Sequence, residues 1–177
     1  MHIGLFSVSA ILFVGCIVKA PGSQGDLPGS VSLPEKPLSF HSGAIFDGKI
    51  QLVGASFSPG SVSSTRPTRA VAVFKVLAPI ESDFSIFVHI ESGGSSTSRV
   101  NADHPPRRPT SSWKVGETIQ DEFTIALPVG ASLGVLTLWV GFWQPGSQGR
   151  MRLSNGFSVE NDGNDRVLLA RLPLNKF

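Results

Sequence analysis

Glu117 to Leu127 reads ETIQDEFTIAL, and its alternation decides the fold class. Ile119, Phe123, Ile125 and Leu127 fall on one side at a spacing of two, with Thr118, Gln120, Glu122 and Thr124 on the other. That is the pattern of a strand with one buried face. Further out, Phe84 to Ile90 (FSIFVHI) repeats it, with Phe84, Ile86, Val88 and Ile90 on one face and Ser85, Phe87 and His89 on the other. Arg69 to Val76 (RAVAVFKV) and Val135 to Trp143 (VLTLWVGFW) are apolar on both faces, as buried central strands are. Lys49 to Phe57 alternates loosely, Arg150 to Leu153 predicts a short strand, and Arg166 to Leu172 (RVLLARL) the last one. Turn residues separate them at Ser58-Pro59-Gly60, Gln144 to Gly149 and Asn161 to Asp165, the last holding a hairpin-type Asp-Gly. No stretch free of Gly and Pro carries a helical apolar stripe over roughly 12 residues. About seven to nine short strands predict an all-β, antiparallel two-layer β-sandwich, jelly-roll or Ig-like.

The chain has 177 residues, 41% of them hydrophobic, which excludes a wholly disordered chain. Charged residues are 16%, with 15 Lys+Arg against 13 Asp+Glu for a net charge of +2. That balance carries no electrostatic footprint for nucleic acid. The one cysteine excludes an internal disulfide and a cysteine-built metal site, and no motif calls for a cofactor.

That cysteine closes the only signal-like segment. Ile3 to Val18 is almost entirely apolar or small but shorter than the ~20 residues that span a bilayer. Phe13-Val14-Gly15-Cys16 resembles the lipobox of bacterial lipoproteins. The resemblance implies a signal peptide over residues 1–15 and a lipidated Cys16, with a plain secretory signal and an uncleaved anchor as the alternatives. All three put the rest of the chain outside the cytoplasm, at the periplasmic face or in the outer membrane. Ala20 to Pro37, rich in Gly and Pro without apolar periodicity, reads as a flexible tether, so that residues 16–37 carry the lipid and the tether. Residues 38–177 are then one sandwich domain.

A block of motifs points further. It comprises FSIFVHI (Phe84 to Ile90), the stretch with Asn101, Asp103 and Pro105, PTSSWKVGETIQDEFTIALP (Pro109 to Pro128), LTLWVGFWQP (Leu136 to Pro145) and GRMRL (Gly149 to Leu153). This resembles a bacterial β-sandwich module. Such modules occur at the extracytoplasmic ends of mannosyltransferase-like membrane proteins and as small lipoproteins. The resemblance covers roughly Gly43 to Leu172 and implies a carbohydrate-related context.

Candidate site residues follow from chemistry. Asp121 sits on the core face of its strand, where a carboxylate needs a partner. The candidates are His89, Arg150 or backbone N–H groups of Trp113 to Gly116, and Asp121 with Arg150 is read as a structural polar hub. His89 and Asp103 are candidate ligand-binding groups, joined by Arg107 from the proline-stiffened loop Asp103 to Pro109. Trp139 and Trp143 share a strand face with Gly141 between them, which builds either a flat sugar-stacking platform or part of the core. Trp113 is expected to plug one end of the sandwich. No Gly-x-Ser-x-Gly elbow supports a catalytic triad, and His89, Asp103 and His104 fit no metal-ligand spacing. The function expected is a membrane-anchored, non-enzymatic binding or structural module that recognises glycan or docks on an envelope protein.

Overall fold

The computed structural model describes residues 37–92, 95–128, 134–147 and 149–175. Expectations for the signal segment, Cys16 and the tether through residue 36 lie outside them. In chain order the strands are β1 (Phe40–His41), β2 (Ile45–Phe46), β3 (Ile50–Ser58), β4 (Val62–Ser63), β5 (Thr68–Val76), β6 (Ser85–Ser92), β7 (Ser95–Asn101), β8 (Thr118–Ile125), β9 (Gly134–Trp143) and β10 (Val167–Asn175). Single 3₁₀ turns lie at Thr110–Ser112 and Gly156–Ser158.

Two sheets pack as a sandwich, as the alternating and doubly apolar runs predict. One has the order β1-β3-β5-β8, with β2 also on β3; the other has β4-β10-β9-β6-β7. All pairings are antiparallel except β4 with β10. Period-two side chains meet between the sheets: Ala70, Ala72, Phe74 and Val76 from β5, and Leu138, Val140 and Phe142 from β9, are all essentially inaccessible. Phe142 is the hub, edge-on to Phe46 and Phe74 with centroids 5.2 Å away in each case. Trp113 closes this cluster, stacked on Phe74 at 6.4 Å, with its indole N–H donating to the Arg108 carbonyl. In β3 the register shifts between Leu52 and Gly54. A side chain at Gly54 would lie 2.1 Å from the Phe40 carbonyl oxygen, so glycine lets β1 close on β3.

Among the described residues three of the ten strands have two residues each, and the seven long ones include one the sequence conceals, β7. Arg150 to Leu153 corrects an expectation. It is not a strand but makes two isolated bridges, Arg150 with Trp143 and Leu153 with Phe46. β6 sets up the site. Ser85 through Glu91 are all buried, so its outer face is roofed as completely as its inner one.

Candidate functional site

Register fixes what lies on the outer face of the second sheet. β6 sets Phe87 opposite Gly141 and His89 opposite Trp139 of β9. On its other side β6 sets Glu91 opposite Arg99 and His89 opposite Asn101 of β7. The ladder continues beyond β7, where His104 and Ile86 exchange backbone hydrogen bonds of 2.9 Å each. Arg99, Asn101 and Asp103 therefore share the outer face with Phe87 and His89. Ala102 and His104 turn inward.

The outer residues enclose an open cleft of about 340 Å³ between β7, β6 and the turn that follows β9. His89, Asp103 and Trp143, three of the five sequence-predicted binding residues, line it together. Arg99, Asn101, Phe87 and Arg150 add to its wall, with Ser147 and Gly149 from the turn. The Arg150 guanidinium lies 5.0 Å from the Phe87 ring centroid, and its Nη1 donates a long 3.4 Å bond to the Asn164 carbonyl. Among the described residues no ion pair holds Arg99 or Arg150. The Trp143 indole N–H is buried without an acceptor among the described residues.

Behind the cleft, Arg166 is anchored from three sides. Its Nη1 donates to Glu91 Oε1 at 2.8 Å and to His89 Nδ1 at 3.1 Å, and its Nε donates to Asp162 Oδ2 at 2.6 Å. A guanidinium has no lone pair to offer, so His89 Nδ1 must accept. The His89 proton is then on Nε2, 3.7 Å from Asp103 Oδ1. Burial lowers the His89 pKa; Asp103 opposes this, and Arg99, Arg166 and Arg150 add to the lowering. His89 is thus a neutral donor with its tautomer set by Arg166. Asp103 is held in turn, with Oδ1 accepting from the Val88 amide at 3.0 Å.

The Asp162 carboxyl shows competing influences. Burial alone would raise its pKa, but bonds from Arg166 and Asn164 outweigh that and hold it below the usual range.

Trp139 is not in the cleft. It is half-buried under Arg166, whose guanidinium lies 5.7 Å from its ring, and it donates to Glu91 Oε2 at 3.0 Å. Nor do the two tryptophans flank an open gap. A side chain at Gly141 would meet Phe87 Cζ at 2.2 Å and the Asp165 carbonyl at 2.8 Å, so Phe87 fills the space. Arg107 also lies elsewhere, in a second depression of about 410 Å³ beside Trp113 and the edge strand β8.

The polar hub is built differently from expectation. Asp121, 3% exposed, accepts from His104 Nε2 at 2.8 Å. Its partner is therefore His104, reaching across from the other sheet, and neither His89 nor Arg150. His104 Nδ1 lies 2.8 Å from the Ala102 carbonyl, and the ring stacks on Phe123. Two acceptors flank one imidazole, an arrangement that favours the doubly protonated, imidazolium form. Burial opposes that charge, but the Asp121 bond and charge and the Ala102 carbonyl outweigh it and raise the His104 pKa.

Sequence reasoning passed over Arg99, Glu91 and Arg166. The signal for Arg99 was the spacing of two that runs through Arg99, Asn101 and Asp103; nothing local marks Arg166 as reaching across β9. Comparison with protein-family models and with curated protein sequences gives no match.

Chemically, the cleft offers donors and acceptors for hydroxyl groups around an aromatic edge. Neither histidine has a ring nitrogen arranged as a general base. His89 Nδ1 is occupied by Arg166, and both His104 nitrogens are engaged, one by Asp121 and one by the Ala102 carbonyl.

Proposed function

We propose that the domain is a non-enzymatic binding module that recognises glycan through the outer-face cleft. One observation carries the reading: a neutral histidine donor, a carboxylate acceptor and an amide at His89, Asp103 and Asn101 surround an open cleft with Trp143 in its wall. Hydroxyl-rich ligands need paired donors and acceptors beside an apolar ring face, and a few placed polar groups set their orientation. At about 340 Å³ the cleft is at the small end of the ~300–1,000 Å³ typical of small-molecule sites, which suits one or two sugar units. The committed histidine nitrogens favour binding over catalysis. The apolar Ile3 to Val18 segment and the Cys16 motif favour an extracytoplasmic, lipid-anchored setting, where glycan is among the available ligands.

The test is a glycan-array screen of the full chain, wild type beside Asp103→Asn and Trp143→Phe. Binding by the wild type that both substitutions weaken, at an unchanged melting temperature, is the expected result. A wild-type chain that retains no glycan on the array refutes the reading and leaves docking on an envelope protein as the alternative.

A further inference from the structure

We infer that the cleft selects a monoanionic sugar, a uronic acid whose carboxylate is gripped by Arg150 and Arg99. The inference rests on the glycan reading above and adds the charge of the ligand. Three arginines lie at the cleft or directly behind it, and they differ in how far they are neutralised. Arg166 is 13% exposed and its charge is matched by two carboxylates, with Nε and Nη1 both donating. Arg99 and Arg150 line the cleft, are exposed, and have no carboxylate partner among the described residues. Arg150 rests on the Phe87 ring, which orients its planar fork before any ligand arrives and lowers the entropy lost on binding.

The charge of the lining selects further. Two arginines and Asp103, with a neutral His89, leave one positive charge. A carboxylate of charge minus one matches it. A phosphomonoester carries about −1.5 to −2 at neutral pH and would face Asp103 with its excess. The hydroxyls of the same sugar ring have Nε2–H of His89, Asn101 and Asp103 to bind. A guanidinium fork matches a carboxylate with two parallel bonds, and such charge-assisted bonds are roughly twice as strong as neutral ones.

The experiment is an NMR titration of the ¹⁵N-labelled full chain with glucuronate, glucose and inorganic phosphate, each to tens of millimolar at fixed ionic strength. The Trp143 indole signal, assigned through Trp143→Phe, reports on the cleft. Glucuronate is expected to bind roughly tenfold or more tightly than glucose, as one added charge-assisted contact implies. Arg150→Gln is expected to reduce glucuronate to the level of glucose. Arg99→Gln serves as the second variant if Arg150→Gln loses the folded spectrum. Equal affinity for glucose and glucuronate overturns the charge selection while leaving the glycan reading standing. Phosphate binding as tightly as glucuronate overturns it in favour of a simple anion site. No shift with any of the three overturns it as well, and the array then decides the glycan reading separately.

Discussion

Raising the pH from about 6.5 to 8.5 is expected to destabilise the domain through the cross-sheet pair His104–Asp121. The folded pKa of His104 is raised above its unfolded value of about 6.5. Between those two values the folded state holds the proton and the unfolded state does not. The contribution is therefore complete below ~6.5 and is lost as pH rises through the folded value. His89 works in the opposite sense. Its folded pKa is lowered, so its contribution is complete above ~6.5 and is lost as pH falls through the folded value. Together they give a stability maximum near pH ~6.5, with one histidine responsible for each limb. One proton sets a limiting slope of about 1.4 kcal/mol per pH unit. With about 140 residues at ~2.1 cal/mol/K each, the unfolding entropy is ~0.3 kcal/mol/K, so each limb is at most ~4–5 °C per pH unit. Asp121→Asn isolates the alkaline limb. The amide can donate to a neutral His104 Nε2 while Nδ1–H keeps the Ala102 carbonyl, so both bonds survive without the charge. Thermal melts from pH 5 to 9 at constant ionic strength should show the alkaline limb in the wild type and not in Asp121→Asn. The acid limb should persist in both. A wild-type melting temperature that stays flat or rises from pH 6.5 to 8.5, or an alkaline limb that survives in Asp121→Asn, refutes the imidazolium assignment.

Gly141→Ala should lower stability by about 1–3 kcal/mol, because the new methyl must displace the Phe87 ring or the Asp165 carbonyl. Gly60→Ala, where a side chain meets nothing within 4 Å, is the control, and equal melting temperatures for the two would contradict the packing described. Arg166→Met should cost about 3–5 kcal/mol, since it leaves the Glu91 and Asp162 carboxylates, whose side chains are largely buried, without their cation. Arg171→Met breaks an exposed pair with Glu160 and should leave denaturant midpoints unchanged. A large loss from Arg171→Met, or none from Arg166→Met, would reverse the assignment of which arginine holds the fold.

The strands legible in the sequence are those whose burial pattern is local. β8, β6 and β9 could be read directly because their apolar residues recur at a spacing of two or run continuously. β7 could not. It is rich in serine and threonine and precedes a proline-rich stretch, and it is a strand because β6 offers it a ladder. Missing β7 also hid the site, since the outward set Arg99, Asn101 and Asp103 is visible only once residues 99–104 are read as extended. The same omission assigned Asp121 the wrong partner. His104 reads as part of a loop, and only the register through Ile86 turns it inward to the opposite sheet. The Trp139-Gly141-Trp143 spacing shows that a gap exists on the strand face, but what fills it comes from the neighbouring strand.

The buried outer face of β6 connects stability to binding. A polar face of an ordinary sandwich strand is wet, yet Phe87, His89 and Glu91 are 2%, 5% and 6% exposed. Arg166 covers Glu91 and fixes His89, and Arg150 covers Phe87. Each cover has a different consequence. Arg166 meets two carboxylates and so rigidifies the floor of the cleft, which keeps His89 in one tautomer with its N–H toward Asp103. Among the described residues the Arg150 guanidinium meets only a ring and one carbonyl, so it screens Phe87 from water while its remaining donors stay available. A site held by strands and locked by a neighbouring network keeps its geometry better than one on loops. Here the locking cation and the available cation are separate residues, so the cleft can give up Arg150 and lose selectivity without losing its floor. Arg150→Gln should therefore change ligand preference at near-constant stability, whereas Arg166→Met should lower stability and also weaken binding, because it frees His89 from its one tautomer.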